Sequence, residues 1–277
     1  MNKIIDISKH QDFYSYISKR IDFYLPHQRK HKLSTMYILR YSLYILQSGA
    51  SWQVFDMCNL PCTSSTIYKT FYKWSKLGIL NKIWSEVASL YISNGLKNNK
   101  YAFKDVMIDS TMIRNIQGID LIGRNYQDKY KFGTKVSAIC DYNNIPLSLV
   151  FYPSNIHDII TIEDTLEEIP SSITLNRRFK TNLLADKGYR SKDKKLELQF
   201  NKVNLIANHR SNEKIKNSKK ELKLLSTRHK IENTFCRLKQ FKRLILRYDR
   251  HISTYKAFHF LALVWITFPR IKQYVKI

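Results

Sequence analysis

Apolar residues recur with a helical period through the first hundred residues and with strand-like spacing after them. "STMYILRYSLYILQSG" starts with a Ser-Thr pair able to cap a helix and stops at Gly49, and "SSTIYKTFYKWSKLG" repeats that plan from Ser64 to Gly78. In the second stretch Ile67, Phe71 and Trp74 fall at i, i+4 and i+7 and predict a buried stripe. Lys69, Lys73 and Lys76 repeat the spacing two residues on. A helix with one buried and one basic face fits a helix-turn-helix laid on DNA, and fits equally an ordinary solvated helix.

Beyond Lys100, "KDVMIDS", "GTKVSAICDY", "IPLSLVFY", "TNLLAD" and "VNLIA" are short apolar runs bounded by turn formers, and they read as strands. Helical patterns, "HDIITIEDTLEEI" and "SKDKKLELQF", lie between them. Three strands linked by short turns, then helix, strand, helix, strand and helix, predict an α/β fold with a mixed sheet flanked by helices. The change of period divides the chain into a helical, helix-turn-helix-like part over 1–100 and a sheet-containing part with C-terminal helices over 101–277. The Lys-rich stretch from His209 to Lys230 reads as a solvated loop or a DNA-facing arm. "AFHFLALVWITF" falls short of the roughly 20 residues a membrane span needs and reads as a buried helix.

Charge sharpens the picture. The 277 residues carry 47 Lys and Arg against 22 Asp and Glu, a formal +25, spread along the whole chain. Such a field favours nucleic acid as partner over a membrane surface, and 44% hydrophobic content supplies a core. The four cysteines fit neither a disulfide framework nor a zinc site and read as reduced thiols. Charges interrupt every apolar run of "MNKIIDISKHQDFY", so no signal peptide is expected. These features predict an intracellular protein.

Two acids follow apolar runs: Asp109 after "VMI" and Asp186 after "LLA". In an open sheet ligands gather beyond the carboxyl ends of the strands, although each residue can also serve a turn. A third acid, Glu232, sits among cations in "RHKIENTFCRLKQFKRLILRYDR". On one continuous helix Arg228, Glu232 and Lys239 fall within about 40° of one another, while Ile231, Phe235, Leu238, Phe241, Ile245 and Tyr248 form a core stripe. An ordinary ion pair on a wet helix accounts for Glu232 equally well in pattern. Chemistry favours another role. Phosphodiester cleavage is served by two divalent ions, and Mg²⁺ takes oxygen ligands, so three converging carboxylates would form a cage for them. Arg237, Lys242, Arg243, Arg247 and Arg250 read as phosphate contacts, and Lys135 reads as a phosphate contact or a solvated lysine. His157 and Asp158 open a helix and read as capping residues ahead of catalytic ones.

The blocks "MIDSTMIR", "GTKVSAICDYNNIPLSLVFYPSNIHD", "LLADKGYRS" and "RHKIENTFCRLKQFKRLILRYDR", with "SGASW" before the helix ending "YKWSKLG", resemble the DDE transposases of bacterial insertion sequences. The likeness runs from Leu33 to Val264. It implies a ribonuclease-H-like core, metal-binding acids at Asp109, Asp186 and Glu232, and two Mg²⁺ or Mn²⁺ ions. It further implies binding to terminal inverted repeats and target DNA, and assembly of more than one protomer on paired ends. The group's Tyr-Arg-Glu-Lys helix signature finds Arg228, Glu232 and Lys239 at its spacing, with Leu225 where the Tyr stands. A nuclease of similar fold without strand transfer, and an inactive DNA-binding derivative, are the alternative readings.

Overall fold

The computed structural model describes residues 10–25, 33–58, 60–99, 101–170, 181–209 and 216–275. In chain order these form helices α1 (Gln11–Tyr24), α2 (Thr35–Ser48), α3 (Ser64–Lys76) and α4 (Ile79–Asn98), then strands β1 (Asp105–Arg114), β2 (Gly123–Asn125), β3 (Lys131–Cys140) and β4 (Pro146–Pro153). Helix α5 (Ile162–Glu167), β5 (Thr181–Ala185), α6 (Lys192–Phe200), β6 (Val203–Ala207), α7 (Lys219–Leu225), α8 (His229–Lys239) and α9 (Ile252–Ile271) complete the order. Two compact units emerge: one holds 1–87, 114–120 and 238–277, the other 88–113 and 121–237. Their limits differ from the division at residue 100 read from the change of period. A change of period marks where strands begin, whereas packing assigns the last forty residues to the unit of the first helices.

In the first unit α3 buries Ile67, Phe71 and Trp74 and exposes Lys69, Lys73 and Lys76, as its periodicity predicts. Thr63 caps it by accepting from the Thr66 N–H. Phe71 meets Phe258 of α9 with ring centroids 4.5 Å apart, and Trp52, from "SGASW", lies against both rings. Gly49 ends α2 in the left-handed conformation, φ 71°, where a Cβ would also press on Lys242. Helix α9 is buried along most of its length, and no described helix is long and apolar enough to cross a membrane. The reading of residues 1–9 as lacking a signal peptide lies outside the described residues.

Within α9 His259 is fully buried, its Nδ1 against the Tyr255 carbonyl. Burial pushes its pKa from 6.5 down to about 4. Between those values the unfolded chain takes up a proton that the folded one refuses, so stability falls as pH falls through that window, by about 3 kcal/mol at its end. Urea midpoints for the wild type should drop between about pH 7 and pH 4.5, and His259→Gln should flatten that drop. Equal slopes in both proteins would place the acid sensitivity elsewhere.

The sheet of the second unit has the order β2-β3-β1-β5-β6, with β4 paired to β3 beyond β2. The β2·β3 and β3·β4 pairs are antiparallel, and β1·β5 and β5·β6 are parallel. The sheet is mixed and flanked by helices, as the strand and helix pattern predicts. Val106 and Ile108 of β1, Leu183 and Ala185 of β5 and Leu205 of β6 pack with Ile162 of α5 and Leu198 of α6 in one core. Strand β6 keeps the limits read from sequence. The three-residue β2, in a stretch without an apolar run, was not anticipated. Where a polar loop or arm was expected after His209, α7 forms on a capping box between Ser218 and Glu221; residues 210–215 of that stretch lie outside the described ones.

One expectation fails for a clear local reason. Helix α8 stops at Lys239 instead of running to Arg250: Phe241 is extended, a 3₁₀ turn covers Lys242–Leu244, and Asn115 bridges to Arg247 in parallel. The stripe holds through Ile231, Phe235, Leu238 and Phe241, but Ile245 and Tyr248 are 47% and 42% exposed. Arg243 and Arg247 turn inward in their place.

Candidate active site

The two strand-end carboxylates are brought together by register. Asp105 pairs with Asn182 and Met107 with Leu184, so carrying the parallel register two residues on sets Asp109 opposite Asp186. Strand β1 continues to Arg114, so Asp109 stands inside a strand and not at its end. Asp186 is the first residue past β5, and its side chain caps nothing, although it opens the turn at Lys187–Tyr189. Its backbone carbonyl closes that turn by accepting from the Tyr189 N–H at 3.0 Å, and its carboxylate takes no part in the cap.

Arg228 joins the pair. Its Nη2 lies 3.5 Å from Asp109 Oδ2, and its Nη1 lies 3.5 Å from Asp186 Oδ1. Two carboxylates able to share one cation define a position where positive charge is favoured. Asp109 also accepts from the Ser110 N–H at 2.8 Å. Burial raises its pKa above the ordinary carboxylate value; the Ser110 bond and Arg228 oppose that rise, and Asp186 and Asp158 add to it.

Glu232 stands in the first turn of α8, one turn beyond Arg228, and is exposed. No three Asp, Glu, His or Cys side chains among the described residues form a group able to hold a metal ion. Asp109 and Asp186 thus share Arg228, while Glu232 joins no such group among the described residues. Like charges repel, and Arg228, the one cation shared here, neutralises two carboxylates but offers nothing to draw in a third. The donor chemistry fits a hard divalent ion: the gathered groups are carboxylate oxygens already sharing a cation, and the exposed Glu232 carries another such group.

Asp158 lies beside the pair without belonging to it. His157 does cap, accepting from the Ile159 N–H at 3.4 Å. Asp158 instead receives the Lys135 ammonium at 2.6 Å and the Ser110 hydroxyl at 2.7 Å. Neither partner is near it in the sequence, so only the adjacency of an acid to the end of "PSNIHD" hinted at it.

Several predicted phosphate contacts are structural. Lys135 is 2% exposed and held by Asp158 and the Ile156 carbonyl, so it cannot reach DNA as placed. Arg243 forks onto Asp249 at 2.8 and 3.2 Å. Arg247 is fully buried on Asp120 and on backbone carbonyls. Arg237 is half-buried and donates to the Asn144 carbonyl. Lys69, Lys73, Lys239, Lys242 and Arg250 are exposed. Leu225, at the signature's Tyr position, is buried at the end of α7, a place an apolar side chain suits. None of the four cysteines is in a disulfide.

Residues 103–267 match the family model described as Transposase DDE domain, a stretch that includes Asp109, Asp186, Arg228 and Glu232. No curated protein matches the chain. Among solved structures it is similar to piggyBac transposase in a synaptic complex with hairpin DNA, at TM-score 0.48 and 10% identity over 95% of this chain. It spans 66% of that chain, under two thirds of its length. The catalytic domain of Mos1 mariner transposase is similar at TM-score 0.29 and 10% identity over 68% of this chain and 90% of that one. For the pre-cleavage Mos1 transpososome the values are 0.32, 9%, 87% and 80%.

Proposed function

The chain belongs to the transposase DDE domain family, and we propose that it cuts DNA at the ends of an insertion sequence and joins the freed 3′-hydroxyls to a second duplex. The observation that carries this reading is that Asp109 and Asp186 share the guanidinium of Arg228, which lies 3.5 Å from each carboxylate. Asp109, Asp186 and Glu232 would hold two Mg²⁺ or Mn²⁺ ions, which supply charge for the entering and leaving oxygens of the phosphodiester.

The residues around them act on the substrate. Arg228 exchanges its carboxylate partners for the DNA phosphate next to the scissile bond, where a planar guanidinium binds two oxygens at once. Lys239, at the spacing of the Tyr-Arg-Glu-Lys signature, adds a second contact. Lys69 and Lys73 on α3, with Lys242 and Arg250, hold the backbone of the terminal inverted repeats through charge, with no base preference of their own. Paired ends call for more than one protomer, and a bacterial cytoplasm is the place of action.

A strand-transfer assay with pre-cut ends bearing free 3′-hydroxyls tests the reading. Insertion of those ends into a supercoiled plasmid in Mg²⁺, absent in EDTA, is the expected result. Cleavage of uncut ends with no insertion of pre-cut ones would identify a nuclease. Binding without either reaction would identify an inactive derivative.

A further inference from the structure

We propose that Ser110, Asp158 and the buried Lys135 form a brace that fixes the carboxylate of Asp109 in the orientation that receives a divalent cation. The inference rests on the site proposed above and names residues that site does not contain. Successive strand residues point to opposite faces of a sheet, so Ser110 sends its hydroxyl away from the face that carries the Asp109 side chain. That hydroxyl donates to Asp158 Oδ1 at 2.7 Å, while the backbone N–H of the same residue donates to Asp109 Oδ1 at 2.8 Å. Ser110 thereby links the two carboxylates through its own backbone.

Lys135 anchors the far end. Its ammonium sits 2.6 Å from Asp158 Oδ1, also donates to the Ile156 carbonyl, and belongs to a side chain only 2% exposed. Beyond it a polar seam continues between β3 and the α5 segment, where Thr161 and Thr165 both donate to the fully buried Ser137 hydroxyl, at 3.1 and 2.9 Å. An ion pair with one member buried and the other partly exposed adds little to folding compared with apolar side chains of the same volume. Its effect here is geometric: Asp158 is pinned between the Lys135 ammonium and the Ser110 hydroxyl. Groups one shell out from a metal ligand typically set its orientation, and losing one weakens metal binding by about 10- to 100-fold.

Asp158→Asn would leave Lys135 buried without its counter-charge and risks unfolding, so Ser110 is the position to change. Mn²⁺ binding to the full chain, followed by paramagnetic resonance of the free ion with and without a bound DNA end, gives a readout independent of cleavage. Ser110→Ala should weaken Mn²⁺ binding about 10-fold, with unchanged melting temperature and DNA affinity. Ser110→Thr, which restores the hydroxyl, should recover wild-type binding. Wild-type Mn²⁺ affinity in Ser110→Ala, or a Ser110→Thr protein as weak as Ser110→Ala, overturns the brace. Mn²⁺ uptake that survives Asp109→Asn would overturn the site itself, which is a separate failure.

Discussion

Asp109→Asn, Asp186→Asn and Glu232→Gln should each lower Mg²⁺-dependent cleavage of a DNA end by on the order of 10³-fold or more, equivalent to about 4 kcal/mol of barrier. DNA affinity should stay near that of the wild type, because none of the three supplies positive charge. For the first two residues the expectation follows from their shared cation: an amide keeps the shape of the carboxylate and loses the charge that draws a metal ion. Glu232→Gln is the most informative, since Glu232 is exposed and not yet gathered with the pair. If its loss leaves cleavage intact, the third ligand is another residue. Asp109 adds a pH signature. Its pKa is raised by burial, so as pH falls it takes a proton before an ordinary carboxylate would, and a protonated carboxyl binds metal poorly. The acid limb of the cleavage profile should therefore lie above the usual carboxylate range and should shift down as Mg²⁺ rises.

The second large effect concerns stability. Arg247→Met should cost about 3 kcal/mol, read as a lower urea midpoint at unchanged slope. The guanidinium is fully buried. It pairs with the Asp120 carboxylate and donates to the carbonyls of Asp120, Asp249 and Arg250, at 2.6, 3.3 and 3.4 Å. Its backbone N–H donates to Arg114 at 3.0 Å, and its carbonyl accepts from Ile116 at 2.9 Å. Removing the head group strands several polar atoms in a dry setting, and each such atom costs about 1–3 kcal/mol. Asp120 is 40% exposed and can turn to water, which holds the total to the lower part of the range for breaking a buried pair. Lys242→Met, at an exposed neighbour, should instead weaken DNA binding with no loss of stability. A stable Arg247→Met protein with weakened DNA binding would return Arg247 to the phosphate contacts.

Sequence periodicity was enough to place most of the scaffold. The limits of β6, the two faces of α3 and the Gly49 stop of α2 each follow from local rules of burial and backbone conformation, and those rules act over a few residues. The juxtaposition of Asp109 and Asp186 was suggested by two apolar runs ending in acids, but the register that sets them opposite depends on which strands pair, and no local pattern encodes that. The errors have the same origin. Nothing in "CRLKQFKRL" carries a Gly or Pro to stop a helix, so the helical period was carried past Lys239 and assigned Arg243 and Arg247 to the wrong face. Lys135 and Asp158 looked like a solvated cation and a cap because each finds its partner across the fold, 23 residues away.

The account stands on Asp109, Asp186 and Glu232 meeting around the same cations once a DNA end is bound. Replacing Mg²⁺ with Fe²⁺ in the full chain on its DNA end, and generating hydroxyl radicals at the bound iron, maps which backbone segments lie beside it. The account predicts polypeptide cuts in β1 around Asp109, just past β5 around Asp186, and in the first turn of α8 around Glu232, all suppressed together by excess Mg²⁺. Cuts at the first two places with none in α8, or cuts indifferent to Mg²⁺, would contradict it.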